Sequence, residues 1–268
     1  MKSIIVNFNK YKPLLNELVT RDVKTKYRRS VLGVLWTLLN PLLMMVVLSV
    51  VFSHLFKFDI DNYPLYLLAG QVVFNFFSAA TTMDMTAIID NAPLIKKVYV
   101  PKYMFVLSRT VSSAINLMAS FAALIIVMLC MRAELHYMAL LGILPIIALV
   151  ALSLGIGLIL AAFAVKFRDI IHLYSVLTTV LMYLTPVIYP MSSLPRAIRM
   201  VVRINPLTSI LEMFRGFMIY GTWPDLFTTL MTIIPSVLVL VLGFRVFYKK
   251  QDEFILYVSV SYTHLRAH

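Results

Sequence analysis

Charge is scarce in this chain, and acid is scarcer than base. Only 13% of the 268 residues are Asp, Glu, Lys or Arg, with 12 acids against 24 bases. A soluble domain is nearer a quarter charged. The single cysteine, Cys130, sits in an apolar run, which excludes an intrachain disulfide. The five histidines (His54, His136, His172, His264, His268) are scattered, and no Cys/His/carboxylate group has metal-ligand spacing. Neither GxxxxGKS nor GxxxxGKT occurs, so nucleotide phosphates have no such cradle here. There is no Ser/His/Asp arrangement on a strained elbow and no paired-carboxylate motif. A membrane-bound acyl- or glycosyltransferase would need a His or carboxylate at a membrane face. The close pair on offer, Asp169 and His172, reads as part of a cytoplasmic loop. Ion-coupled transport uses ionisable groups within the membrane, and their scarcity indicates that driving energy enters elsewhere.

What the chain has in abundance is apolar residues, 61% of the total, with a mean hydropathy of +0.89. This composition predicts an all-α integral membrane protein forming one compact bundle. Six runs are long enough to be spans: about Val31–Phe56, Tyr63–Met83, Met104–Met131, Met138–Val165, Leu173–Tyr189 and Leu226–Phe247. The first starts too late and runs too long for a cleavable signal peptide. Eight basic residues precede it, among them Arg21, Lys24, Lys26, Arg28 and Arg29. With six spans, the two ends and the loops after spans two and four share one side. That side also takes Lys96, Lys97, Lys102, Arg109, Lys166, Arg168, Arg245, Lys249, Lys250 and Arg266. The positive-inside rule therefore places both termini in the cytoplasm. The net charge of +12 flanks apolar runs, so it points to lipid headgroups and not to nucleic acid.

Several stretches depart from plain spans. Tyr11, Leu14, Leu15 and Leu18 recur at helical spacing, predicting an amphipathic interface helix over about 10–29, with Arg21 to Arg29 at headgroup depth and Trp36 as an anchor. Asn40-Pro41 predicts a local kink. In DNAPLIKKVYVPK (90–102), Asp90 or Asn91 can cap a short helix with Pro93 in its first turn. That helix, about Ala92 to Val98, would carry Leu94, Ile95 and Val98 as an apolar docking edge, with Lys96 and Lys97 facing water or a partner. Residues 204–220 are too short and too charged for a seventh span, since Glu212 and Arg215 would each cost ~2.5–3.5 kcal/mol at a bilayer centre. Two short re-entrant or interfacial helices broken by Pro195 and Pro206 fit better, with Glu212 and Arg215 spaced to pair. Asp84 and Arg109 are expected to pair at the cytoplasmic ends of their spans. The aromatics of span two, with Tyr183 and Tyr189, suit sugars, which offer apolar CH faces beside hydroxyls. After Tyr257 the character changes, and 258–268 is expected to be a disordered or non-native tail.

Together RDVKTKYRRSVLGVLWTLLNP (21–41), NAPLIKKVYVPKYMFVLS (91–108), KFRDI (166–170), TPVIYP (185–190) and NPLTSILEMFR (205–215) resemble the membrane subunit of an ABC-2-type exporter. The likeness is to the polysaccharide, O-antigen and teichoic-acid export branch and spans about residues 10–255. It implies one transmembrane domain over 1–257, six spans within 31–247, a coupling helix after span two and re-entrant gate helices before span six. By the resemblance Pro93, Leu94, Ile95, Lys96, Lys97 and Val98 would dock the ATPase. Arg21, Lys24, Lys26, Arg28, Arg29 and Trp36 would meet headgroups. Asn205, Pro206, Glu212 and Arg215 would form the outer gate, and Phe74, Phe77, Tyr183 and Tyr189 are candidates to line the channel. The implied partners are a second copy of the permease, a separate nucleotide-binding subunit carrying ATP and Mg, membrane lipids and a lipid-linked glycan in the inner membrane. The chain itself would bind no cofactor or metal and would not be an enzyme. A drug, haem or simple lipid is the alternative cargo.

Overall fold

A computed structural model describes residues 2–27, 32–33, 35–55, 60, 62–134 and 136–254. Among these residues every regular element is helical. In chain order they are α1 (Lys2–Tyr27), α2 (Leu35–Leu55), α3 (Tyr63–Asp90), α4 (Ala92–Ile95), α5 (Tyr103–Cys130), α6 (Ile143–Ala164), α7 (Asp169–Leu184), α8 (Arg196–Ile204), α9 (Pro206–Arg215) and α10 (Leu226–Lys250). A 3-10 turn over Tyr137–Gly142 leads into α6, and a π turn over Gly216–Tyr220 extends α9.

Prolines and short polar residues set the boundaries. α3, α4 and α9 each carry proline in the first turn, where its missing N–H is no loss. Asn205 caps α9 by accepting from Leu207 N–H, and Asp225 caps α10 by accepting from Thr228 N–H. Gly33 (φ 49°) turns the chain just before α2 begins, in the left-handed region that suits glycine. α2 runs through Pro41 as one helix.

Helices occupy all six expected apolar runs. Four segments, Tyr63–Asp90, Tyr103–Cys130, Tyr137–Ala164 and Leu226–Glu253, are long and apolar enough to cross a membrane. Leu35–Val51 and Asp169–Leu184 are shorter apolar helices. The fifth run stops being helical at Thr185, so TPVIYP lies outside α7. The two short helices expected to be broken by Pro195 and Pro206 match α8 and α9, which those prolines head. The first helix begins well before residue 10. Arg28, Arg29 and the 258–268 tail lie outside the described residues.

α3 is the axis of the bundle. Leu65, Leu68, Val72, Phe76, Phe77 and Ala80 sit in a core completed by α5, α6 and α9. Helices α6 and α10 pack with unusually close backbones: a methyl group on Gly155 would lie 2.6 Å from the Val239 carbonyl oxygen. Small residues allow this approach in a membrane, where packing replaces the hydrophobic effect. Outward faces of α2, α7 and α10 stay apolar and exposed, as at Val50, Val176 and Val237.

Candidate functional site

Two polar constructions stand at opposite ends of α3. The first surrounds its C-terminus. The Asn91 side chain donates to Ala87 O (2.8 Å), closing α3, and the Asn91 backbone carbonyl accepts from Leu94 N and Ile95 N, opening α4. Asn91 is buried, and Arg21 of α1 donates to its Oδ1 at 2.9 Å. Arg21 also pairs with Asp22 at 3.0 Å. Arg109 of α5 lies 3.4 Å from the buried Asp22 carboxylate and 3.2 Å from Asp90. The first contact is an ion pair without hydrogen-bond alignment, because Asp22 Oδ2 has no hydrogen-bond partner among the described residues. Tyr11, Leu14 and Leu18 pack beside Ile88, Ile95 and Tyr103. One polar and apolar seam thus joins α1, α3, α4 and α5.

This seam revises the expected docking edge. The short helix covers only Ala92–Ile95. Ile95 is buried in the bundle, and Leu94 is half-buried against it. Pro93, Lys96, Lys97 and Val98 are exposed, and Tyr99 is 98% exposed. Periodicity found the apolar residues but not which way they turn, because tertiary burial of α4 decides that. Tyr99 was not singled out from the sequence, because one aromatic between Val98 and Val100 leaves no periodic signal.

The expected Asp84–Arg109 pair does not form. Asp84 is fully buried and accepts from the Thr110 hydroxyl at 2.8 Å. Arg109 and Thr110 are successive on a helix, so their side chains diverge by about 100°. Arg109 goes to Asp22 and Asp90 instead.

The second construction lies at the N-terminal end of α3. Arg215 of α9, 3% exposed, donates to the carbonyls of Tyr66 (2.9 Å), Pro186 (2.7 Å) and Val187 (2.9 Å). Its guanidinium stacks 3.4 Å from the Tyr66 ring centroid. The Tyr66 hydroxyl donates to Tyr189 O at 2.9 Å, and Tyr63 donates to Ile188 O at 2.8 Å. Four successive carbonyls of the non-helical TPVIYP segment, Pro186 to Tyr189, are therefore satisfied by side chains, as irregular backbone away from water requires. Arg215 does not pair with Glu212; the carbonyls occupy its fork, and Glu212 is half-buried beside it. Asn205 caps α9 and donates to the Thr185 hydroxyl at 3.3 Å, tying the same loop to α9. Pro206 starts α9 in a half-buried position.

The aromatic candidates separate. Phe74 and Phe77 are buried in the core of this chain, because α3 is enclosed by its neighbours. Tyr183 is exposed and Tyr189 half-buried, with the Tyr189 hydroxyl donating to Tyr183 O. Lys24 and Lys26 are exposed at the end of α1, and Trp36 is exposed at the start of α2. Although its side chain reaches the surface, desolvation by neighbouring atoms lowers the Lys26 ammonium pKa from its ordinary value.

Several helices long and apolar enough to cross a membrane, with an irregular segment whose carbonyls are met by buried side chains, define a polytopic membrane protein. Residues 13–219 match the family described as ABC-2 type transporter, and the chain belongs to that family. It is 29% identical over 258 residues to the O-antigen export system permease protein RfbA of Myxococcus xanthus, covering 95% of this chain and 98% of the relative. It is 28% identical over 245 residues to the RfbA of Klebsiella pneumoniae, covering 90% and 93%. The polysialic acid transport protein KpsM of Escherichia coli is 24% identical over 220 residues, 80% of this chain and 84% of that protein.

Proposed function

We propose that this chain is the membrane permease subunit of an ATP-driven exporter that moves a lipid-linked polysaccharide across the cytoplasmic membrane. The observation that carries this reading is the near full-length match to a permease named for O-antigen export. The names of the relatives favour a glycan over a drug, haem or simple lipid. In this reading the chain has six spans, both termini are cytoplasmic, and α8 and α9 form an outer gate without crossing. Two copies work with two nucleotide-binding subunits that hold ATP and Mg. The exposed Pro93, Lys96, Lys97, Val98 and Tyr99 are the docking surface for those subunits. Asp22, Asn91 and Arg109 transmit the resulting displacement into α1, α3 and α5. The basic residues of α1 and Trp36 meet lipid headgroups.

The test is ATP turnover by the purified chain alone and in complex with its nucleotide-binding subunit. The isolated chain is expected to be inactive and the complex active. Equal turnover by the isolated chain would contradict the reading.

A further inference from the structure

A cleft of about 510 Å³ opens between α2, α3 and α5. Its size is within the usual range for small-molecule sites. Its polar wall is made by Asn40, Gln71, Asn75, Ser113, Asn116 and Ser120. Gln71 and Asn75 are one turn apart on α3, and Ser113, Asn116 and Ser120 follow one face of α5. Bonds from Ser113 to Met83 and from Thr110 to Asp84 set α3 antiparallel to α5 and bring Asn75 level with Ser120. Lys26 and Trp36 also line the cleft. Its other wall is apolar, with Leu48, Val72, Phe76 and Leu117.

Polar side chains in membrane helices normally serve each other across helix contacts. Gln71 does not follow that use. It is 5% exposed, and its Oε1 has no hydrogen-bond partner among the described residues. Asn116 donates within its own helix, to Ser112 O at 3.2 Å. Among the lining residues there are no acids, so the wall offers neutral donors and acceptors with a cation beside them. That combination suits hydroxyls next to an anionic group, on a molecule that also has an apolar part.

We propose that this cleft binds the phosphate-proximal sugar of the lipid-linked substrate. Its hydroxyls bond to Gln71, Asn75 and Asn116, and its phosphate lies toward Lys26 and Trp36. This rests on the permease reading above and locates part of the substrate within one copy of the chain, on a wall that does not need the partner copy.

The experiment uses the permease–ATPase complex in nanodiscs and three probes: a polyprenyl diphosphate carrying one N-acetylhexosamine, the sugar-free polyprenyl diphosphate, and phosphatidylglycerol. Gln71→Leu and Asn75→Leu are each expected to weaken the glycosylated probe about tenfold and leave the sugar-free probe unchanged. Lys26→Gln should weaken both diphosphates. Asn75 is exposed, so its variant tests the claim even if the Gln71 variant fails to fold. Unchanged binding of the glycosylated probe in the Asn75 variant would overturn the proposal, as would phosphatidylglycerol binding equally well. Copy-to-copy cross-linking through Asn75→Cys, in a Cys130→Ser background, would overturn it too by placing the second copy in the cleft. Glycan export is measured in parallel. Export by the wild type with no effect of the cleft variants on probe binding sinks the cleft alone. No export and no probe binding by the wild type sinks the permease reading beneath it.

Discussion

Arg215 is the residue whose role is most sharply defined by its surroundings. Three carbonyls from two segments converge on one guanidinium, and a tyrosine ring covers its face. Arg215→Met would leave these acceptors without a charged donor, and each unsatisfied buried group costs ~1–3 kcal/mol. The expected result is a clear fall in the unfolding midpoint of detergent-purified protein. Arg215→Lys should recover only part of it, because an ammonium cannot reproduce the planar fork. Asp225 offers a pH test. Hydrogen bonds from Thr228 hold its carboxyl below the usual carboxylate range, with Arg203, 3.0 Å away, acting in the same direction. A depressed value means its stabilisation is complete above the ordinary carboxylate pKa, about 3.9, and is lost as pH falls through the lowered one. The difference in unfolding midpoint between wild type and Asp225→Asn should be constant from pH 7 to 5 and shrink in stronger acid. A constant difference down to pH 2 would remove Asp225 as its source.

At the scale of elements, the short α4 separates buried residues that hold the fold from the exposed residues proposed to dock. Ile95→Asp buries an unpaired charge, at a cost on the order of 3–5 kcal/mol, and should reduce folded yield. Val98→Asp and Tyr99→Ala touch exposed positions and should leave yield unchanged while abolishing ATPase co-purification. Full co-purification with both surface variants would exclude this docking surface. The α1–α5 seam predicts a charge-swap result. Arg109→Glu should lower stability and ATP-driven transport, and adding Asp22→Lys should restore part of each, with an interaction energy on the order of 1 kcal/mol. The sequence showed α1, the break at Pro206 and the helix after Asn91, because caps, prolines and periodicity are local signals. It did not show the partners of Asp22, Arg109 and Arg215. Those contacts join segments far apart in the chain, and nearest charges in sequence, such as Glu212 with Arg215, are poor guides to them.

For the whole molecule, hydropathy located every apolar helix, since only helices satisfy their own backbone in lipid. It placed the end of the fifth run too late, because the TPVIYP segment is apolar yet irregular and draws its hydrogen bonds from Tyr63, Tyr66 and Arg215. The loop proposed to dock the ATPase, the α1 seam and the Arg215 clamp are ordered along α3, from its C-terminus to its first turns. Over the 24 residues between Tyr66 and Asp90 this axis extends roughly 36 Å, enough to connect the two faces of a bilayer. In the proposed function, this axis would carry the displacement from the docking loop to the outer side. The most direct measurement is glycan appearance inside sealed, inside-out vesicles containing the permease–ATPase complex and an external lipid-linked glycan. The account predicts accumulation that requires ATP and both subunits and is lost with Tyr99→Ala. Accumulation without the ATPase subunit, or none with the intact complex and ATP, would contradict it.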